Sequence, residues 1–362
     1  MPIHLNQLLK LMVQRDISDI HFKADSVPAL RRHGSMILGT NLPKLSADDI
    51  KSLAQELMSE DQKRQFERDL ELDMGYTLEG VSRFRVNVFM QKRTVGLSLR
   101  VVPMTQRSFE ELNLPTELLK KLAAETRGLI LFAGMTGAGK TTAMNSFIHF
   151  LNSNCAYRII TVEEPIEFYH ADLKSTVVQR EVGHDTKSFA AALCHILRQD
   201  PDVVVVGEMR DLETMQAAIQ AAETGHLVLS TIHTIDSVST FNRIVDAHPA
   251  DQQAQVRQQL ANCLKGIVAQ RLVLSKDGKS RYPANEILIN NTVVRSTLLE
   301  GKTQEIHKHL EKGSYYGMQS FDQDLLRLCT EGKIDAKTAV ENSTTPQDLA
   351  LKLQGHSAPA GA

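Results

Sequence analysis

Gly134, Met135, Thr136, Gly137, Ala138, Gly139, Lys140 and Thr141, with Thr142 next, follow the spacing G-x-x-x-x-G-K-T. Glycines at both ends let the backbone curl until several N–H groups face one anion. In such a loop the lysine ammonium reaches the β- and γ-phosphates and the threonine hydroxyl ligates Mg²⁺. The motif needs a strand before it and a helix after it. An apolar run at 129–133 precedes it, and Met144, Phe147, Ile148 and Leu151 mark one helical face beyond it. Residues 134–142 are therefore the candidate site for ATP and Mg²⁺. The bland alternative is a Gly-rich turn that holds no nucleotide.

ATP hydrolysis also needs a carboxylate near the metal and a group that activates water. The run Val203–Val206 ends in Gly207 and Glu208, with Gly207 where an Asp often stands, so Glu208 is the metal-side acid beside Thr141. A second run ends in Glu163, Glu164 and, after Pro165-Ile166, Glu167. Ligands of open α/β sheets bind beyond the carboxyl ends of the strands. All three acids are thus expected near the nucleotide, one of them as general base, although any single one can equally be a solvated loop acid. His226 flanks the run Leu227–Ser230 and His233 follows it. A histidine past a core strand can sense a γ-phosphate; a lone one is more often structural.

Arginines form a third candidate. Residues 83–91 and 95–102 alternate apolar and polar, as half-buried strands do, around Lys92-Arg93. With those two as the turn, Gln91 faces Thr94 and Arg85 faces Arg100. Like charges opposed across a sheet destabilise it. Either an anion such as a nucleotide phosphate lies near them, or the two point apart into solvent.

The elements that must hold these residues read as two styles of chain. In the first hundred residues, Leu5, Leu8, Leu9, Met12 and Val13 recur at helical spacing, and a second helix starts at Ser46 with Ile50, Leu53 and Leu57 on one face. Beyond the prolines at 103 and 115, four apolar runs (129–133, 159–162, 203–206, 227–230) read as strands of a parallel sheet covered on both faces. A helix is predicted from Asp211, a good cap, to Gly225, a good stop. Val256, Leu260, Leu264 and Ile267 predict one helical face, and Asp277-Gly278 predicts a turn between strands 268–274 and 284–289. Residues 292–353 read as polar helix, and the tail from Gly355 shows no periodicity.

Length and composition bound the class. The 362 residues suit two or three domains. Apolar usage of 42% is ordinary for a globular chain, and no run is long enough to span a membrane. The first six residues lack the pattern of a signal peptide. With 41 Lys+Arg against 43 Asp+Glu, no nucleic-acid partner is expected. Cys155, Cys194, Cys263 and Cys329 form no CxxC pair, so neither zinc nor a disulfide framework is expected.

Taken in order, these motifs resemble one family. The loop at 134–141, the acid run Thr161–Phe168, the spacers Gln179–Gly183 and Leu197–Asp202, the run Val203–Arg210 and the stretch Thr224–Thr234 are similar to those of type IV pilus retraction ATPases, the PilT/PilU group of secretion-superfamily ATPases. Ser18–His21 and Gly317–Asp322 extend the likeness from about residue 3 to 350. The resemblance implies an α/β fold: a PAS-like α+β domain at 1–103, a linker at 104–116, a RecA-like ATPase domain at 117–290, a helical region at 291–354 and a disordered tail at 355–362. It implies an ATP-hydrolysing homo-hexamer that drives or assists pilus retraction in twitching motility. Such a motor is cytoplasmic, peripheral at the inner membrane, with a paralogous retraction ATPase and an inner-membrane pilus platform protein as partners.

By motif match, Lys140 and Thr141 grip phosphate and Mg²⁺, Glu167 is the catalytic acid, Glu208 the second-motif acid, His226 and His233 the family histidines, and Arg85 and Arg100 the arginines that reach the phosphates. Two features depart from the pattern. Glu163-Glu164-Pro165 stands where the family usually has Glu-Asp-Pro, and Val293–Thr297 keeps only Arg295 of the Ala-Ile-Arg-Asn-Leu stretch of PilT-type members. The polar carboxyl-terminal extension is more like PilU. The competing readings are a secretion or pilus-assembly ATPase of the same superfamily, and an accessory partner that binds nucleotide but scarcely hydrolyses it.

Overall fold

The computed structural model describes residues 4–32, 35–102 and 106–357. The chain divides into two compact units, one of residues 1–105 with Pro165–Tyr169, the other of 106–164 with 170–362. Residues 103–105, which include the start of the expected linker, and the tail residues 358–362 lie outside the described residues.

The first unit is built on six strands: β1 Ile17–Phe22, β2 Ala29–Arg32, β3 Ser35–Leu38, β4 Glu71–Leu78, β5 Ser82–Gln91 and β6 Thr94–Val102. They run β3-β2-β1-β6-β5-β4, and every pair is antiparallel. Alternation in β5 buries Phe84, Val86 and Val88 on one face. These meet Leu9 and Met12 of the helix Leu5–Gln14 and Ile50 and Leu53 of the helix Ala47–Leu57. Ser46 and Asp49 cap the latter reciprocally, which is why it starts where the serine predicts. A third helix, Glu60–Asp69, has no apolar stripe and buries only Phe66; its start rests on a second such box, Ser59 with Gln62. The segment Pro165–Tyr169 belongs to this unit, and Arg83 donates to the Tyr169 hydroxyl at 2.6 Å.

Seven strands form the second sheet: β7 Gly128–Ala133, β8 Arg158–Glu163, β9 Thr176–Glu181, β10 Val203–Val206, β11 Leu227–Ile232, β12 Leu264–Leu274 and β13 Arg281–Ile289. Their order is β13-β12-β7-β11-β10-β8-β9, parallel except for the antiparallel edge strand β13. Strands β7, β10 and β11 are buried along their whole length. Successive β7 residues feed two cores, Leu129, Leu131 and Ala133 to one face, Ile130 and Phe132 to the other. The helix Lys140–Asn154 covers the second face, and Leu212–Glu223 covers the first. Asp211 caps the latter, and Gly225 takes a φ of +104° just past its end.

One expectation of helix fails. The helix Gln253–Cys263 stops before Leu264, whose extended backbone opens β12, so Leu264 and Ile267 lie in a strand. Leu264 and Ile267 stand three apart, a helical spacing, but pairing along β7, with an irregularity between Leu264 and Gly266, holds both in the strand. The hairpin beyond it forms around Asp277-Gly278, with Gly266 paired to Ile289 and Leu274 to Arg281. Helices at 292–299, 306–312, 321–330, 336–341 and Pro346–Ser357 follow. They share one core with the sheet, from Leu129 through Phe321 to Leu353, so the helical region is continuous with the ATPase sheet. The last helix runs into the segment expected to be disordered, ending at Ser357. Phe109 and Leu114, expected as linker, are buried against this unit; Phe109 stacks on Phe150 at 5.2 Å. Among the described residues no helix is long and apolar enough to cross a membrane.

Candidate nucleotide-binding site

The loop Gly134–Gly139 leaves the carboxyl end of β7 and enters the helix Lys140–Asn154, so the backbone N–H groups of a helix start face the space above the sheet. Gly134 and Gly139 are required by geometry. Their φ angles are +154° and +85°, and a Cβ on either would stand 2.6 Å from an atom of Gln270. Met135 is exposed, whereas Lys140 is buried and donates to the Met135 carbonyl at 3.1 Å. Thr141 and Thr142 lie half-buried in the first turn, where Asn145 Nδ2 bonds the Thr141 carbonyl at 2.8 Å.

Three strand ends contribute the groups around the lysine. His233, one residue past β11, places Nδ1 3.4 Å from Lys140 Nζ and 3.5 Å from Thr136 Oγ1. Its Nε2 lies 3.0 Å from Glu208 Oε1, two residues past β10. Arg210 holds the other Glu208 oxygen at 2.9 Å and reaches Glu164 at 3.9 Å. The hydrogen bond to Glu208 raises the arginine's pKa above its ordinary value, against the effect of burial. The result is a chain of alternating charge and polarity: Lys140, His233, Glu208, Arg210, Glu164. Since carboxylates only accept, Nε2 is the donor toward Glu208, and Nδ1 faces the lysine.

The other predicted residues sort clearly. Glu163 is buried at the end of β8, where its Oε1 accepts from Thr161 Oγ1 at 2.7 Å and Gln179 Nε2 at 3.1 Å. Both bonds fall on one oxygen and tie that oxygen to the sheet. Glu167 lies in the segment that belongs to the first unit, whereas Glu163 and Glu164 belong to the second. His226 sits before β11, where Leu227 pairs with Gly128 at the amino end of the sheet. At ~3.3 Å per residue that is about 23 Å along the strand from His233. Within the chain His226 is therefore at the opposite end of the sheet from the loop, bonded to Thr224 and the Ala221 carbonyl.

In the first unit Arg85 does face Arg100, and Gln91 faces Thr94, across a turn in which Lys92 and Arg93 have φ of +47° and +63°. One anionic group beside this pair belongs to the chain itself. Arg100 donates to Asp19 at 2.6 Å, and Asp19 is buried on β1. An internal carboxylate already compensates one of the two charges. Sequence reasoning missed three participants: Asp19, because β1 was not read as a strand; Arg210, which its spacing two beyond Glu208 does signal; and Gln270, which only the β12–β7 pairing brings under the loop.

No group of three or more His, Cys, Asp or Glu among the described residues forms a metal cage. The donors at the loop fit Mg²⁺ nonetheless, because that ion keeps waters and takes phosphate oxygens with one or two hard protein ligands. Thr141 offers a hydroxyl in the first helical turn, and Glu208 a carboxylate at the neighbouring strand end.

A glycine-rich loop at the carboxyl end of a parallel sheet, with acid and histidine converging on its lysine, defines a RecA-like P-loop ATPase, here following a small antiparallel α+β unit. The model of the family called type II/IV secretion system protein matches residues 2–314, and the chain belongs to that family. It is 38% identical over 345 residues to the type IV pilus retraction ATPase PilT of Pseudomonas aeruginosa, covering 95% of this chain and 99% of that one. It is 39% identical over 352 residues to the type IV pilus ATPase PilU of the same organism, covering 97% and 92%. These identities do not separate the two branches. A crystal structure of the pilus retraction motor PilT with bound ADP superposes with a TM-score of 0.88 at 42% identity, covering 96% of this chain and 98% of that one.

Proposed function

We propose that this chain is an ATP-hydrolysing motor of the type IV pilus machinery that drives or assists pilus retraction. One observation carries the reading: a buried lysine in the glycine-rich loop, bridged by His233 to Glu208, in a chain similar along nearly its whole length to retraction ATPases. Lys140 exchanges its contact with the Met135 carbonyl for the β- and γ-phosphates. Its departure frees His233 Nδ1, so His233 reports whether phosphate is present, and Glu208 keeps the ring oriented. Mg²⁺, when bound, neutralises charge developing on the phosphates; Thr141 and Glu208 are the residues to hold it.

Glu167 is our candidate base, by its place in the family's acid run. Glu163 is unsuited, since its oxygen is already committed to Thr161 and Gln179. Glu164, beside Arg210, is the acid to compare. The working assembly is a ring of six copies, located in the cytoplasm at the inner-membrane base of the pilus, beside a paralogous ATPase and a membrane platform protein. What supports the ring is the family; a closed head-to-tail assembly coordinates sites that must fire in turn. Steady-state ATP turnover by the purified full-length chain tests the reading. Turnover that requires Mg²⁺ and Lys140 supports a motor. Tight nucleotide binding without turnover supports an accessory partner instead.

A further inference from the structure

Gln270 lies on β12 one residue beyond the Ala269–Ala133 pair, so it comes up beneath the loop that leaves β7. It is 4% exposed, and its Nε2 donates to the Ala138 carbonyl at 2.7 Å. Its Oε1 has no hydrogen-bond partner among the described residues. The loop closes tightly on it: a Cβ on Gly139 would stand 2.6 Å from Nε2, and one on Gly134 2.6 Å from the Gln270 carbonyl oxygen. A side chain kept there only to fill space would be apolar, because burying an amide with its oxygen unpaired is costly. What the glutamine supplies, and an apolar residue does not, is the bond to Ala138.

We infer that Gln270 is a positioning residue that aims the Gly139 N–H at the phosphates. A trans peptide is planar, and its C=O and N–H point in opposite directions. Fixing the Ala138 oxygen on Gln270 therefore turns the Gly139 N–H away from β12 and into the concave side of the loop. The positive φ of Gly139 is the backbone state this orientation uses. Without the amide, the Ala138–Gly139 peptide is free to rotate and to present a carbonyl oxygen to an anion. Gln270 thus acts through the backbone and touches no reacting atom.

The inference rests on residues 134–142 being the nucleotide site, so the test separates the two. ADP binding by the full-length chain is measured by calorimetry for wild type, Lys140→Ala, Gln270→Leu and Gln270→Glu. Losing one hydrogen bond to a charged group predicts ADP binding about 10–100-fold weaker in Gln270→Leu. KM for ATP should rise with it while kcat is nearly kept, the mark of lost uniform binding. Gln270→Glu keeps the shape and adds a pH signature. As a carboxylate it repels the Ala138 oxygen, so binding is weak at about pH 8.5; burial raises its pKa, and the protonated acid donates again, so affinity recovers toward wild type at about pH 6. An affinity equal to wild type in both variants would overturn the inference and leave the nucleotide site standing. So would a ratio of Gln270→Glu to wild-type affinity that is flat across that pH range, an outcome that holds even where Gln270→Leu fails to fold. Wild type that takes up no ADP would overturn the site and the inference together.

Discussion

Lys140, His233 and Glu208 come from three strand ends, and the sheet brings them within hydrogen-bonding reach of one another. Lys140→Ala is expected to abolish ATP turnover with the fold intact by circular dichroism, because no neutral side chain replaces an ammonium against two phosphates. Within the acid run, Glu167→Gln should keep ADP binding and lose about 10²–10⁴-fold in turnover, the range for a positioned base. Normal turnover in that variant, with a loss in Glu164→Gln, would move the base to Glu164. The arginines part company. Arg85 is half-buried on β5 opposite a like charge, so Arg85→Ala should change stability by less than about 1 kcal/mol. Arg100→Ala leaves the buried Asp19 with Arg31, 4.0 Å away, and should cost about 1–2 kcal/mol in urea unfolding. If both reach the phosphates, both lose turnover, by about 10³-fold on the scale of a phosphate-stabilising arginine. The Arg85–Arg100 register was legible because a two-residue turn fixes every pair after it. The Asp19 partner was not legible, because it arrives from a strand 81 residues away in sequence.

Elements carry a second kind of information. His170 donates from Nε2 to Asn145 Oδ1 at 2.7 Å, tying the segment after β8 to the helix that starts at Lys140, while Asn145 bonds the Thr141 carbonyl. Burial, with His149 adding a smaller push, lowers the His170 pKa to about 4. The unfolded chain takes up a proton below about 6.5 that the folded chain refuses, so this contribution is complete above that pH and is lost as pH falls toward 4. The whole window is worth roughly 2–4 kcal/mol at 1.36 kcal/mol per pKa unit. Urea unfolding of wild type between pH 7 and pH 4.5 should show this slope, and His170→Leu, although less stable at pH 7, should show less of it; parallel profiles would remove His170 as the cause. Elements with a strong local signal were legible, such as the Asp211-capped helix and the Asp-Gly hairpin. Those that depend on a distant partner were not. Leu264 and Ile267 have helical spacing until β7 claims them through an irregular register, and β3 is exposed along its length, so no alternation marks it.

At the scale of the molecule, the account is a motor built from a sheet-based ATPase unit and a smaller α+β unit. The full-length chain should run as a hexamer by light scattering with ATP and Mg²⁺; a strict monomer at high concentration would count against a ring. Family membership was legible from the order of the motifs, since each is short and their sequence along the chain is specific. The continuity of the helical region with the sheet was not, because it lies in one shared core that reaches from Leu129 to Leu353. The central claim is that ATP turnover at Lys140 powers pilus retraction, and labelled pili tracked in living cells that lack this chain test it most directly. Wild-type chain should restore retraction events, and Lys140→Ala, expressed to the same level, should restore none. Retraction restored equally by Lys140→Ala would contradict the account.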